Sequence, residues 1–356
     1  MNSKGVASIL IASMLLAIFA SVYVMYQTVG VPGYCKNAER AMLQEFLSSM
    51  KELSARQRNV ISSGESSGVN LPTQFAYPSI PFFLTPSYAS VSYFTYNISV
   101  TVRNIGSDEV NILGPDITLN GQAVMAMLTP VFTTPVTAYL ELGVLATDGA
   151  YVDGSPVSRG EIYLPFFSGA PTSQLFPASA GGRGVLIKAN NLNQNITIEI
   201  SGSKIPSHVW NAYGSMMGYN VSYNQSKVVI EIPPGEYLLK SGIASFISGA
   251  SSARPYYLRT LTPVVQKSPA VVNVEALDEY FNPSRGDITL DFVSGSSNYN
   301  VKVPDSSGLK RVNLPYTVTD SKLSTVVEVS GGISVFKAKI FRIPGGPYEV
   351  AFAVSS

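Results

Sequence analysis

The sequence predicts a mainly β protein that is carried on an N-terminal helical segment. Three observations support this fold class: a 31-residue run without a charged side chain from Gly5 to Cys35, an amphipathic pattern from Lys36 to about Ile61, and alternation with a period of two after Leu71. We therefore expect a transmembrane helix, a second amphipathic helix and then tandem β-sandwich domains. The predicted boundaries are 1–34, 35–70, 71–262 and 263–356.

The composition limits the classes of function. Charged residues make up 13% of the chain and the net charge is +1, so no electrostatic feature favours a nucleic-acid partner. Cys35 is the only cysteine, which excludes an internal disulfide framework and a cysteine-based zinc site. We expect Cys35 to be an inert residue at the end of the apolar run, with lipidation and an intermolecular bridge as the alternatives.

The apolar segment Val6 to Tyr26 contains 21 residues, enough to cross the roughly 30 Å hydrocarbon core of a membrane as a helix. Its apolar core is longer than that of a secretory signal peptide and no A-x-A site follows, which makes a removable signal peptide the less favoured alternative. Ser13, Ala17 and Ser21 recur at a spacing of four. This stripe is either a packing face or the ordinary composition of a membrane helix. Basic residues flank both ends of the segment, so they leave its orientation open.

The stretch SKGVASILIASMLL, residues 3–16, resembles the N-terminus of archaeal type IV pilins, in which a short basic leader ending in Lys/Arg-Gly precedes an apolar helix. The resemblance implies that a prepilin peptidase recognises Lys4 and Gly5 and cuts between Gly5 and Val6. Leu10 then becomes the fifth mature residue, where bacterial type IV pilins usually carry Glu, and the chain is longer than most major pilins. The resemblance therefore implies a minor, tip or pilin-like surface protein, with filament subunits or further copies of this chain as partners.

The next segment is predicted to be a separate helix. Gly30-Val31-Pro32-Gly33 is expected to interrupt the helical run, and an amphipathic helix then extends from Lys36 to about Ile61. Its apolar stripe consists of Leu43, Phe46, Leu47, Met50 and Leu53. This stripe is expected either to pack on the β region of the same chain or to self-associate as a short stalk. The Ser/Gly-rich residues 62–68 are typical of a flexible linker.

Residues 71–262 are expected to form one β domain or two packed sandwiches. The stretches TYNISVTVRN (95–104) and VNILGPDITLNG (110–121) predict two strands joined by a turn. The Pro-rich segment Tyr77–Pro86 is expected to wrap an edge of the sheet. A short helix is predicted around Ser207 to Met216. Further strands are predicted at 136–145, 184–189, 195–201, 227–232 and 236–247.

The C-terminal region shows the spacing of an immunoglobulin-like sandwich. Seven short strands are predicted at 270–277, 287–293, 299–303, 311–318, 324–329, 334–343 and 347–354. Residues 266–330 also resemble invasin-type bacterial immunoglobulin-like domains, with Asn282-Pro283, Gly286 and the turn 305–308 in the places of the family's polar turns. This resemblance implies the fold, but such domains are often spacers, so it assigns no ligand.

Candidate catalytic or metal-binding residues are few. A Ser-His-Asp triad requires His208, the only histidine, and no G-x-S-x-G motif is present, so we expect a hydrogen-bonded structural histidine and no enzymatic activity. The carboxylate pairs Asp148/Asp153 and Asp278/Glu279 do not match a calcium-loop spacing and are expected to be polar turns. Residues 179–184 contain three glycines but no phosphate-loop Lys and are expected to form a turn. No cofactor or metal is expected.

Four sequons of the type N-x-S/T mark candidate glycosylation sites at Asn97, Asn195, Asn220 and Asn224. The leading hypothesis is a pilin-like cell-surface structural or adhesion protein, a component of a type IV pilus-like filament or pseudopilus. It contacts the membrane through residues 6–26 and displays its C-terminal domains outside the cell. The alternative is a permanently anchored cell-envelope protein with adhesive β domains, and an extracellular hydrolase is the least supported class.

Overall fold

A computed structural model describes the backbone of residues 3–80, 84–106, 116–191, 193–224, 227–250, 256–260, 264–265, 271–284, 288–294, 297–303, 309–313, 322–329, 335–342 and 348–355. Side chains are described for residues 8–80, 84–106, 116–191, 193–223, 227–250, 256–257 and 275–284. The protein is mainly β: its described part contains 25 strands, three α-helices and one π-helical turn. A long apolar helix at the N-terminus precedes a large multi-stranded sheet, which confirms the predicted fold class.

The N-terminal helices form one rod that extends to residue 63. Helix α1 (Ser3–Met25) continues through a π-helical turn (Tyr26–Gly30) into α2 (Val31–Ser63). The predicted interruption at residues 30–33 is therefore wrong. Pro32 lies in the first turn of α2 and cannot donate a hydrogen bond to the preceding π turn, Tyr26–Gly30, but the helical backbone continues through this point. Gly64 ends the rod in the left-handed region at φ 73°, and its N–H donates to the carbonyl of Val60.

The largest sheet contains 16 of the described strands. They are β1 (Ser67–Gly68), β2 (Gln74–Ala76), β3 (Tyr88–Arg103), β4 (Ile105–Gly106), β5 (Asp116–Thr129), β6 (Val136–Glu141), β7 (Val144–Thr147), β8 (Tyr151–Asp153), β9 (Val157–Ser158), β10 (Glu161–Ser168), β11 (Gln174–Ser179), β12 (Val185–Ala189), β13 (Ile196–Ser201), β14 (Asn220–Asn224), β15 (Lys227–Ile232) and β16 (Glu236–Ser245). Helix α3 (Ser207–Met217) lies between β13 and β14 and confirms the predicted short helix. The main path of neighbouring strands is β1-β11-β16-β10-β5-β3-β13-β15-β14.

Two long strands form the centre of this sheet. β3 and β5 pair antiparallel from Ser90 opposite Thr129 to Arg103 opposite Asp116. They confirm the two predicted strands, and both extend well beyond the predicted bounds; the predicted turn lies within residues 107–115, outside the described residues. In β3, Ile98 belongs to a first hydrophobic core, whereas Val91 belongs to a second core on the opposite face. Alternate residues of a strand point to opposite faces, so the two halves of β3 cover different cores.

The sequence does not predict β10, because this strand is buried on both faces. Ile162 and Phe166 lie in the first core, and Tyr163 and Phe167 lie in the second. A strand that separates two cores is apolar at successive positions and lacks the alternation of a half-exposed strand. β10 runs parallel to β16 and antiparallel to β9 and β5.

Helix α2 packs on the β region of its own chain. Phe46, Met50 and Leu53 are fully buried in the second core, whereas Leu43 and Leu47 are only partly buried. The buried face of α2 consists of Val31, Cys35, Glu39, Met42, Phe46, Ser49, Met50, Leu53, Gln57, Val60 and Ile61. The helix is thus held against the sheet along its whole length.

The C-terminal strands form two further antiparallel sheets. One contains β17 (Tyr257–Thr260), β19 (Val271–Leu277) and β22 (Leu309–Asn313). The other contains β18 (Val264–Val265), β20 (Ile288–Ser294), β21 (Ser297–Val303), β23 (Lys322–Val329), β24 (Val335–Arg342) and β25 (Tyr348–Ser355). Each of the seven strands predicted after residue 269 corresponds to one of β19 to β25.

The segment that follows β19 enters the first core. We call Asp278–Ser284 the docking loop. Its residues Tyr280 and Phe281 are 3% and 1% exposed and belong to the first core, together with residues of the largest sheet. The ring of Phe281 stacks on that of Tyr257, and the ring of Tyr280 meets Phe166 edge-on. Tyr280 and Phe281, which follow the predicted boundary at residue 263, thus share a core with the largest sheet.

Candidate functional site

The first helix exposes its apolar side chains along its described length. Every residue from Ser8 to Tyr26 is exposed, and the side chains of Leu16 and Phe19 are 74% and 70% exposed. An 18-residue window of the rod has a mean hydropathy of 2.3, and none of it is buried. Within the described residues, this is one helix long and apolar enough to cross a membrane. Since covering each such side chain is worth about 1.5–3 kcal/mol, α1 requires an apolar environment.

Two serine hydroxyls of α1 bond to the backbone of the same helix. Ser13 Oγ donates to the carbonyl of Leu10, and Ser21 Oγ donates to the carbonyl of Ala17, each at 2.8 Å. Hydroxyls that bond in this way can enter lipid or a helix bundle without leaving a donor unpaired. Ser13, Ala17 and Ser21 therefore form a surface of small side chains. Burying this surface leaves no serine hydroxyl without a hydrogen bond.

A buried carboxylate joins α2 to the loop between β5 and β6. Glu39 is 3% exposed, and its Oε1 accepts a hydrogen bond from the hydroxyl of Tyr77. The same oxygen accepts the N–H groups of Val131 at 3.0 Å and Phe132 at 2.9 Å. Burial raises the pKa of Glu39, but the hydrogen bonds from Tyr77 and the loop outweigh it and hold the pKa below its ordinary value. This cluster fixes the first half of α2 on the sheet.

A second buried carboxylate lies in the docking loop. Asp278 is fully buried, and its Oδ2 accepts the hydroxyl of Ser179 at 2.6 Å. Its Oδ1 accepts the N–H groups of Tyr280 at 2.9 Å and Asn282 at 3.0 Å. Burial raises the pKa of Asp278 to about 6, because the hydrogen bonds offset only part of the cost of placing a charge there. Asp278 does stabilise a polar turn, as predicted, but that turn is inside the protein.

Asn282 connects the docking loop to the largest sheet. Its Nδ2 donates to Ser179 Oγ at 2.7 Å and to the carbonyl of Ser241 at 2.9 Å, and its Oδ1 accepts the N–H of Gly182 at 3.0 Å. A Cβ at Gly182 would lie 2.2 Å from Asn282 Oδ1, so only glycine allows this approach. Residues 179–184 are a turn between β11 and β12, as predicted, and this turn receives the docking loop.

The sequon residues lie on one region of the largest sheet. Asn97 is in β3, Asn195 directly precedes β13 and Asn220 begins β14, and all three are exposed. Asn224 ends β14, where it pairs with Lys227 of β15. Because the strands follow one another in the order β3-β13-β15-β14, the fold brings together sites that are distant in the sequence.

The predicted processing site and the cysteine occupy different parts of the rod. Lys4, Gly5 and Val6 lie in the first turns of α1, which begins at Ser3. Cys35 is fully buried on α2, where burial, and then the charge of Glu39, raise the pKa of its thiol. A buried cysteine with a raised pKa is poorly suited to lipidation or to an intermolecular bridge.

His208 is not held in the core. It is exposed in the first turn of α3, because the buried face of that helix is formed by Val209, Trp210 and Tyr213. The prediction that His208 is a hydrogen-bonded structural histidine is therefore wrong.

The aspartates 148 and 153 have separate structural partners. Asp148 accepts the hydroxyl of Tyr139 at 2.7 Å and the N–H of Thr137 at 3.0 Å. Asp153 forms an ion pair with Lys51 of α2 at 3.3 Å. In the part of the chain that the structure describes, no group of three His, Cys, Asp or Glu residues could hold a metal ion.

Compared with models of known protein families and with curated protein sequences, the chain matches none. Sequence reasoning missed the role of Glu39, although a signal is present. Glu39 lies four residues after Cys35 and seven before Phe46, on the apolar face of α2, and a carboxylate at such a position requires buried hydrogen-bond donors.

Proposed function

We propose that this protein is a pilin-like surface subunit, whose first helix anchors it in a membrane before assembly and lies in the core of a filament afterwards. The proposal is carried by one observation: a single helical rod has two halves of opposite character. α1 exposes apolar side chains on all sides, whereas α2 buries one face against the sheet of its own chain. The resemblance of residues 3–16 to archaeal type IV pilins supports the same function.

In this proposal, α1 is processed and then changes its surroundings. A prepilin peptidase cuts between Gly5 and Val6 and removes the leader. Transfer of α1 from lipid to a bundle of similar helices changes the hydrophobic free energy very little, because lipid tails are as apolar as Leu. Close packing over the small side chains of Ser13, Ala17 and Ser21 then stabilises the bundle. The β region is displayed outside the cell as a structural or adhesive part.

N-terminal sequencing of the native protein, in a membrane fraction and in filaments sheared from cells, tests the proposal. We expect a mature terminus at Val6 and recovery in the sheared filaments. Gly5→Val should leave the terminus at Met1 and remove the protein from the filaments. Gly33→Val is the matched control, since a Cβ at Gly33 meets no atom within 4 Å.

Recovery of the wild-type protein only in membranes, with a terminus at Met1, would contradict filament assembly. That result would favour the alternative of a permanently anchored envelope protein with external β domains.

A further inference from the structure

Part of one face of the largest sheet is polar and uncovered. In β3, β13 and β15, alternate residues such as Val100, Ile198 and Ile230 are buried in the first core, and the residues between them point to solvent. We define the outer face by its residues: 97, 99, 101 and 103 of β3, 116, 118, 120 and 122 of β5, 197, 199 and 201 of β13, 220 and 222 of β14, and 227, 229 and 231 of β15. None of the described residues of the outer face is buried.

The outer face offers little to a protein partner. Glu199 forms ion pairs with Arg103 at 3.1 Å and with Lys227 at 3.8 Å, so these three charged groups of the outer face already have partners on neighbouring strands. Among its described residues, Val229 is the one apolar side chain. Protein interfaces are anchored by aromatic residues and Met in a desolvated centre, which this face does not provide.

Two exposed sequon asparagines lie on this face, and a third directly precedes one of its strands. By strand alternation, Asn97 and Asn220 point to the same side as Glu199, and Asn195 is placed two residues before the outward-facing Thr197. Residues i and i+2 of a strand point the same way, so Asn97 and Asn220 each stand beside the hydroxyl residue of their own sequon. The acceptor amide and the hydroxyl are thus presented together to solvent.

The fourth sequon lies at the edge of the sheet. Asn220 and Asn224 are the first and last residues of β14, which is the end strand of the main path. An end strand presents unpaired N–H and C=O groups to other chains, and proteins block such edges with charges, bulges or covering groups. Bulky groups at both ends of this five-residue strand would obstruct pairing with another chain.

We propose that Asn97, Asn195, Asn220 and Asn224 carry N-linked glycans, and that this sugar layer covers the outer face and the edge strand β14. The donor is a lipid-linked oligosaccharide phosphate. The asparagine amide nitrogen forms a bond to C1 of the first sugar while the bond between C1 and the phosphate oxygen breaks. The phosphate leaves with the electron pair, and the amide releases one proton. The inference requires the β region to be outside the membrane, as in the proposed function, but it does not require filament assembly.

Glycopeptide mass spectrometry of the native full chain tests the proposal. We expect a glycan mass on each of the four sequon peptides, and the loss of one glycan mass in each single Asn→Gln variant. Asn282 is an internal control, because it is 3% exposed and is followed by Pro283. Unmodified peptides at two or more of the four sites would overturn the proposal.

The outcomes separate this inference from the proposed function. Glycosylated sequons on a protein that retains Met1 support the inference and contradict pilin processing. Bare sequons on a protein that begins at Val6 overturn the inference and leave pilin processing supported.

Amine labelling tests whether the sugars cover the outer face. Lys227 and Lys51 are matched probes: their side chains are 51% and 49% exposed, and each pairs with a carboxylate. Lys51 lies on α2, away from the sequons. With an amine-reactive polyethylene glycol, we expect slower labelling of Lys227 than of Lys51 in the native protein, and loss of this difference in the variant with all four asparagines changed to Gln. Equal labelling of the two lysines in the native protein would contradict the proposed cover.

Discussion

Asp278 is a buried carboxyl group whose protonation is linked to folding. Its pKa is raised from 3.8 to about 6 in the folded protein. Between these values the folded state binds a proton that the unfolded state has released. The stability from this group is therefore fully present below the ordinary value and is lost as the pH rises through about 6. Over an interval of about two pH units, this amounts to about 3 kcal/mol at 1.36 kcal/mol per unit.

We predict that Asp278→Asn removes this pH dependence, because Asn keeps an acceptor for the N–H groups of Tyr280 and Asn282 and carries no charge. Urea unfolding between about pH 4 and pH 7 should show the wild-type free energy of unfolding falling relative to the variant by up to about 3 kcal/mol. Asp153→Asn removes an exposed carboxylate and controls for the change in net charge. Parallel curves for wild type and Asp278→Asn would contradict the assignment.

Glu39 is predicted to have the opposite dependence. Its pKa is held below the ordinary value, so its stabilisation is present above that value and is lost as the pH falls through the folded pKa. Glu39→Gln keeps an acceptor for Tyr77 but loses the charge that strengthens the bonds. We expect the variant to be less stable by about 1.5–3 kcal/mol at neutral pH, with a smaller difference in acid. Glu45→Gln, on the exposed side of α2, is the control. A stability difference between wild type and Glu39→Gln that increases at acidic pH would contradict this prediction.

At the level of elements, local patterns determined which predictions succeeded. The strands after residue 269 alternate and are punctuated by turn residues, so the sequence predicts each of β19 to β25; the end predicted for β22, at residue 318, lies outside the described residues. β10 was missed because burial on both faces removes the alternation. The predicted helix break at residues 30–33 is wrong: Pro and Gly often end helices, but Pro32 is tolerated in the first turn of α2.

The two halves of the rod are expected to respond differently to charge. Leu16 is 74% exposed on α1, where an Arg in a membrane-embedded helix costs about 2.5–3.5 kcal/mol. Leu16→Arg should therefore reduce recovery in the membrane fraction while the circular dichroism of the β region is unchanged. Met216→Arg, at a position 69% exposed on α3, should leave membrane recovery unchanged. Equal membrane recovery of the two variants would show that α1 is not the anchor.

At the scale of the whole molecule, the sequence predicts less, because the relevant contacts are long-range. The exposed α1 was foreseen from its composition. The grouping of the sequons on one face depends on the strand order β3-β13-β15-β14, which no local pattern specifies. The burial of the docking loop is also not predictable from local sequence. The stretch DEYFNPS resembles a polar surface turn, and only the structure shows that Ser179 and Ser241 supply hydrogen-bond partners for its buried Asp278 and Asn282.

The docking loop is expected to make the C-terminal sheets unfold together with the largest sheet. Asn282→Ala leaves the N–H of Gly182 and the carbonyl of Ser241 without these partners, and each unpaired buried group costs about 1–3 kcal/mol. We predict one calorimetric transition for the wild type and two for Asn282→Ala, because the variant loses the contacts that join the two parts. Asn211→Ala, on the exposed side of α3, should keep one transition. Two transitions in the wild type would show that the loop does not couple them, and an unchanged single transition in Asn282→Ala would show that the coupling lies in other contacts.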